Sequence, residues 1–216
     1  MATIRRYPLV TEEIYHIFNK SIAGYRIFNN EGELKRMKEL FSYYCYEEQL
    51  KFYRSKISDY DLGRVNREQI LVKIIAYCIM PTHIHLILQQ CKDNGISIFM
   101  SRVSNSYARY FNIKYGRKGP LWEGSFKNVL VNDSEQLLHL TRYLHLNPTT
   151  AFLVEHPQDW IFSSYREYLG LEDKDRMICS FNDFIDMSPT SYKRFVEDRI
   201  DYQRDLERIK HLLLEE

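Results

Sequence analysis

Two histidines separated by one residue, His83-Ile84-His85, stand inside a β-branched, apolar run. On a strand, successive side chains alternate faces, so both imidazoles project from one face and Ile84 from the other. Two imidazoles held this way can share one divalent metal, and the same pair also suits a half-exposed polar face. A second grouping is Tyr143-Leu144-His145-Leu146-Asn147. At helical spacing Tyr143 and Asn147 lie on one face, His139 sits one turn further back, and His145 points elsewhere. A phenol beside an amide can be a nucleophile next to a third metal ligand. The pair can equally be a core tyrosine and a helix-ending asparagine before Pro148. Taken together, the two groupings fit one reaction, metal-assisted cleavage of a phosphodiester by tyrosine. The metal draws charge off a phosphate oxygen while the phenolate attacks phosphorus. A free tyrosine has a pKa of about 10, so the site must help it lose its proton.

The elements that must position these groups follow from the pattern. Ile14 to Ile22 reads as a first strand bounded by Gly24, and Glu31 to Tyr53 as a helix with Asn30 as N-cap. Ile70 to Met80 is a buried strand ending at Pro81, and His83 to Gln89 a second strand after a tight turn. Ile96 to Tyr115 is an amphipathic helix closed by Gly116 and the basic loop GRKGPLWEGS. Phe126 to Val131 is a fourth strand. Asp133 to Asn147 is a third helix, with Asn132 or Asp133 as cap and Pro148 as its stop. The order β-α-β-β-α-β-α is the split βαβ arrangement of an α+β, ferredoxin-like sandwich, an antiparallel sheet with helices on one face. Residues 1–154 form that unit. Residues 155–216 read as an acidic helical extension whose last helix opens at Ser188-Pro189 and runs to roughly Leu214.

The 216 residues are 44% hydrophobic and 27% charged, enough to bury a core and too apolar for a disordered chain. The uncharged stretch Ile74 to Gln90 contains Pro81, His83 and His85 and is a poor membrane span. The start, MATIRRYPLV, lacks the apolar run of a signal peptide, and Cys45, Cys78, Cys91 and Cys179 show no CxxC spacing. A reduced, cytoplasmic protein is expected. Net charge is +1, but from Glu155 onward 15 acidic residues face 9 basic ones, a net of −6 that leaves +7 on residues 1–154. Within that part, the stretch Arg102 to Lys127 holds Arg102, Arg109, Lys114, Arg117, Lys118 and Lys127 against a single acid, Glu123. A basic, aromatic segment of this kind fits single-stranded nucleic acid, and equally a solvated helix face. Trp122, in a loop between basic residues, is a candidate for stacking on a base. Tyr107 and Tyr110 read as core. A zinc site joining Cys78 and Cys91 to the histidines fits no known spacing.

The motifs IYHIFNKSIAGYRIF, YCIMPTHIHLIL, YARYFNIKYGRKGPLWEGSFK, YLHLNPTTAFLV and DWIFSSYREY occur in this order, ending at Tyr168. This set resembles the single-tyrosine HUH transposases, where HUH means His-hydrophobic-His, and within them the REP-associated tyrosine transposase branch. The resemblance implies a metal-dependent nuclease and strand transferase acting on single-stranded DNA with hairpins, cytoplasmic and nucleoid-associated when bound to DNA. Position by position, His83 and His85 match the metal-binding pair. Tyr143 matches the nucleophile that forms a 5′-phosphotyrosine and leaves a free 3′-OH. Asn147 matches the position that carries a Gln or Asn completing the metal site. Mg²⁺ or Mn²⁺ is the expected ion, the mixed N/O ligand set suiting Mn²⁺ at least as well. A homodimer is compatible with the resemblance, and so is a tyrosine helix acting in cis or in trans. Many relatives read GPLWQGRFK where this chain has GPLWEGSFK, so Glu123 and Ser125 stand in place of an amide and an arginine.

Two other functions compete. One is a catalytically silent single-strand binder on the same fold, to which the altered loop lends weight, although all four site residues are present. The other is a histidine phosphoesterase of small nucleotides. That chemistry needs two facing His-x-Thr or His-x-Ser motifs, and the chain has a single HxH followed by Leu86.

Overall fold

Strand β1 (Ile14–Lys20) alternates fully buried Tyr15 and Ile17 with half-buried His16 and Phe18, in a computed structural model that describes residues 9–47 and 69–205. It pairs antiparallel with β3 (His83–Gln90) on one side and β4 (Lys127–Leu130) on the other. β3 in turn pairs antiparallel with β2 (Val72–Met80), giving the sheet order β2-β3-β1-β4. This is the strand order that a split βαβ unit produces when each crossover returns over the same face.

That face carries α1 (Glu31–Tyr44) and α2 (Gly95–Lys114), whose Met37, Phe41, Phe99 and Tyr107 bury against Ile17, Ile84 and Leu86. Asn30 caps α1 through its side chain, as the sequence indicates. The helix ends at Tyr44, short of the expected Tyr53: residues 45–47 are already non-helical, the Cys45 carbonyl accepting from the Leu71 amide, and residues 48–53 lie outside the described residues. Gly95, at the start of α2, stands so close to the Leu71 carbonyl that a Cβ would meet it at 2.2 Å.

The opposite face is covered by α3 (Ser134–Thr150) and by the extension, which share a second core of Ile87, Leu144, Leu146, Tyr165, Tyr168 and Tyr192. Helices therefore lie on both faces, the split-unit pair on one and the tyrosine-bearing helix on the other. Asp133 is the cap of α3: its carboxylate accepts from the Gln136 amide at 2.7 Å, and Gln136 Oε1 accepts from the Asn132 amide. The expected stop at Pro148 is corrected, because the helix runs through Pro148 to Thr150. Proline removes one N–H, but burial of Leu146, Pro148 and Thr149 holds the last turn, and the Thr149 hydroxyl donates to the Leu146 carbonyl at 2.8 Å.

The extension carries the helices α4 (Tyr165–Tyr168) and α5 (Pro189–Glu197). α5 is opened by Ser188 and Pro189 as expected, but ends at Glu197 rather than continuing. Asp198 and Arg199 form a turn, residues 200–205 are helical again, and the predicted remainder lies outside the described residues. The extension also feeds backbone groups to the open side of β2: Ile79 N–H donates to Phe162, Ser164 N–H to Tyr77, and Ser180 N–H to Ile74. An edge strand is thereby covered by the chain's own later residues. The four cysteines are free thiols. Among the described residues no helix is long and apolar enough to cross a membrane.

Candidate functional site

The alternation of β3 sends Ile84, Leu86 and Leu88 into the first core and leaves His83, His85 and Ile87 toward α3. The two imidazoles stand 5.0 Å apart, edge to face. Each is oriented through Nδ1. His83 Nδ1 is 2.9 Å from the Thr82 hydroxyl, and His85 Nδ1 is 3.0 Å from His16 Nε2. Engaging Nδ1 leaves Nε2 of both rings as the nitrogen that a cation could use.

Burial pushes His83 down to about 4, helped by the nearby Lys20 charge. His85 is held well below its ordinary value by burial and then by His16, His83 and Lys20. His16 is likewise lowered by burial to about 4. All three rings are neutral at neutral pH, the form that coordinates a cation.

Helix α3 brings Tyr143 over this pair. Its ring is edge-on to His85 at 6.1 Å and to His16 at 6.5 Å, and the side chain is 44% exposed. The ring therefore stands beside His85 and His16 with nearly half of the residue open to solvent. Asn147 follows one turn later, inside the helix rather than at its end, and its Nδ2 is buried without a hydrogen-bond partner. A half-turn of the amide presents Oδ1 at the same position, so an oxygen ligand for a cation is available there. Among the described residues no cluster of three or more His, Cys, Asp or Glu side chains can hold a metal.

His16 is the residue that the sequence reading missed. It stacks on His85 at 5.2 Å with 15° between the ring planes. The signal was present in the strict alternation of β1, where His16, Phe18 and Lys20 share the face opposite Tyr15 and Ile17. His145 belongs elsewhere, as expected. It is fully buried, with Nδ1 2.7 Å from the Tyr192 hydroxyl and Nε2 2.7 Å from Ser164 Oγ, and burial lowers it to about 3.

The expected nucleic-acid residues divide in two. Arg109, Lys118 and Lys127 are exposed. Arg102 instead donates to the carbonyls of Tyr46 and Glu47, securing the end of α1. Lys114 pairs at 2.7 Å with the fully buried Glu33, whose carboxyl is lowered by that contact and by Tyr115 and the Asn29 amide. Arg117 is held by Asn112 and the Pro120 carbonyl. Trp122 is corrected outright. It is 8% exposed and part of the first core, and its indole N–H donates to the Ser104 carbonyl at 3.0 Å, so its ring is not offered to a base. Cys78 is fully buried, and burial pushes its thiol up, which removes it as a ligand.

The family model described as "Transposase IS200 like" matches residues 62–147, the stretch that holds His83, His85, Tyr143 and Asn147. A curated relative from Haemophilus influenzae, named "Putative REP-associated tyrosine transposase", is 28% identical over 108 residues. That match covers 45% of this chain and 61% of the relative, so it spans less than two thirds of the relative's length. A solved structure of a REP-associated tyrosine transposase bound to a REP hairpin superposes with a TM-score of 0.52 at 18% identity. It covers 88% of this chain and 96% of the other, which shows a shared fold. The resemblance read from the motifs is borne out by these matches.

Proposed function

We propose that this chain, whose residues 62–147 match the IS200-like transposase family, is a metal-dependent nuclease and strand transferase that cleaves single-stranded DNA beside hairpins through Tyr143. One observation carries the reading: the half-exposed ring of Tyr143 stands edge-on to His85, the second histidine of the pair, and to His16. His83 and His85, through Nε2, and Asn147, through Oδ1, would hold a divalent ion, Mg²⁺ or Mn²⁺. Such an ion supplies Lewis-acid withdrawal of charge from a phosphate oxygen.

The remaining chemistry is the chain's own. The Tyr143 oxygen forms a bond to phosphorus as the bond from phosphorus to the 3′-oxygen breaks. The phenol proton leaves, and the released 3′-oxygen takes one up. The product is a 5′-phosphotyrosine with a free 3′-OH, and attack by another 3′-OH on that linkage reverses the step and joins strands. The half-buried His16 orients His85 through its Nε2, and the strand β3 holds the pair in place. The hairpin carried by the solved relative supports a folded-back single strand as substrate.

The test is incubation of a labelled hairpin library with Mn²⁺ or with EDTA, followed by denaturing electrophoresis. The expected result is a metal-dependent band shifted by one protein mass and lost in Tyr143→Phe. An adduct that persists in Tyr143→Phe assigns the nucleophile elsewhere. Binding without any adduct supports the silent binder.

A further inference from the structure

Beside the histidine pair, the same sheet face leads into a cavity of about 250 Å³ lined by Phe18, Asn19, Lys20, Glu123, Ser125 and Lys127. The two sites adjoin: the Phe18 ring lies 6.0 Å from that of His85, nearly parallel to it, and Lys20 is in register with His83. The volume suits a single nucleotide and is too small for a duplex.

Its wall is built rather than incidental. Ile22 N–H donates to the Leu121 carbonyl at 3.0 Å, and Glu123 N–H to the Lys20 carbonyl at 2.9 Å. Ser21 and Trp122 form a bridge, and Trp122 is buried beneath. The loop bearing Glu123 and Ser125 is thus zipped onto the end of β1, with its backbone fixed.

The chemistry of the wall is mixed in a particular way. Phe18 offers an aromatic face, with Lys127 Nζ 6.0 Å from its centroid. Lys20 and Lys127 supply two positive charges, and among the described residues neither pairs with a carboxylate. Glu123, also without an ion pair there, contributes a carboxylate that accepts hydrogen bonds and repels phosphate. An occupant must therefore present phosphate to the lysines, a flat ring to Phe18 and a donor edge to Glu123. A nucleotide whose base carries an exocyclic amino group meets all three requirements. Thymine meets them poorly, because its single N3–H is flanked by two carbonyls that face the carboxylate.

We infer that this cavity is the subsite for a nucleotide next to the cleaved phosphodiester, and that Glu123 selects an amino-bearing base there against thymine while Lys20 and Lys127 hold the flanking phosphates. The inference rests on Tyr143 being the nucleophile, and the experiment separates the two. Adducts from a strand randomised around the cleavage point are sequenced for the wild type and for Glu123→Gln, whose amide both donates and accepts. Thymine should be depleted several-fold at one position in the wild-type pool and return toward its input frequency in the variant. Adducts with the same base frequencies in both proteins overturn the subsite.

A second arm needs no cleavage. In EDTA, short dC and dT oligonucleotides are titrated by fluorescence anisotropy against wild type, Glu123→Gln, Lys20→Gln and Lys127→Gln. The dC-over-dT preference should shrink in Glu123→Gln, and each lysine variant should lower the salt dependence by about one unit of log–log slope. An unchanged preference overturns the proposal even if no adduct ever forms, whereas absence of adducts with an altered preference refutes only the nucleophile.

Discussion

The buried His145 lets acid be used as a probe of how the tyrosine helix is held. Replacing it by glutamine keeps one donor and one acceptor but removes the titrating ring. In the folded chain the ring is lowered to about 3, because burial penalises its charged form between Tyr192 and Ser164. In the unfolded chain it takes a proton as pH falls through about 6.5. Below that value the unfolded state binds more protons, so stability falls as pH falls, down to the folded value. At about pH 5 the gap is about 1.5 units, which at about 1.4 kcal/mol per unit gives a loss of about 2 kcal/mol from this one residue. His16 and His83 push the same way, so the informative quantity is a difference between proteins. Urea unfolding of wild type and His145→Gln, followed by circular dichroism from about pH 7.5 to about pH 5, should show the variant less stable at neutral pH by about 1–3 kcal/mol. It should also show a shallower decline, by about 2 kcal/mol over that range. Parallel declines would mean that the folded ring accepts a proton like a solvated one, and the packing account of α3 would be wrong.

Two further outcomes follow from the placement of α3 and of the GPLWEGSFK loop. Tyr143 lies over the histidines of its own chain, and α3 is held by its own extension, so mixing Tyr143→Phe with His83→Ala should give no adduct beyond that of either alone. Adduct recovery in the mixture would show that the helix is exchanged between copies. Trp122→Leu should destabilise the fold by up to about 3 kcal/mol through lost packing and leave single-strand affinity of the folded protein unchanged. A loss worth 1–3 kcal/mol of affinity, roughly the value of a stacked base, would restore Trp122 to the DNA interface.

Local rules made much of this molecule readable. The HxH alternation placed both imidazoles on one face because a strand's period is independent of its surroundings. The Asp133 cap and the Asn30 cap were equally local. What could not be read depended on partners distant in sequence. Lys114 reads as a DNA contact until Glu33, 81 residues earlier, claims it. Arg102 and Arg117 look equally available until backbone carbonyls are placed beside them. Trp122 looks exposed because it stands in a loop between basic residues, and only the fold shows that Ser21 and Ser104 lie against it. Pro148 obeys its propensity in isolation and is overridden by burial. His16 failed for a different reason. Fixing β1 only by its bounds, Ile14 to Ile22, leaves unused the period of two that puts His16 on one face with Phe18 and Lys20.

The clamp on α3 also sets an order in time. As the chain leaves the ribosome, the sheet with both histidines is complete once β4 has been made, at Leu130. The tyrosine follows 13 residues later in sequence. The groups that seat its helix come later still: Ser164 and Tyr192 for His145, Phe195 under the Arg142 guanidinium at 4.2 Å, and Arg204 on the Thr149 carbonyl. The floor of the site is thus finished while its nucleophile is still unsecured, and a chain during synthesis carries the parts of a cleavage centre before it can align them.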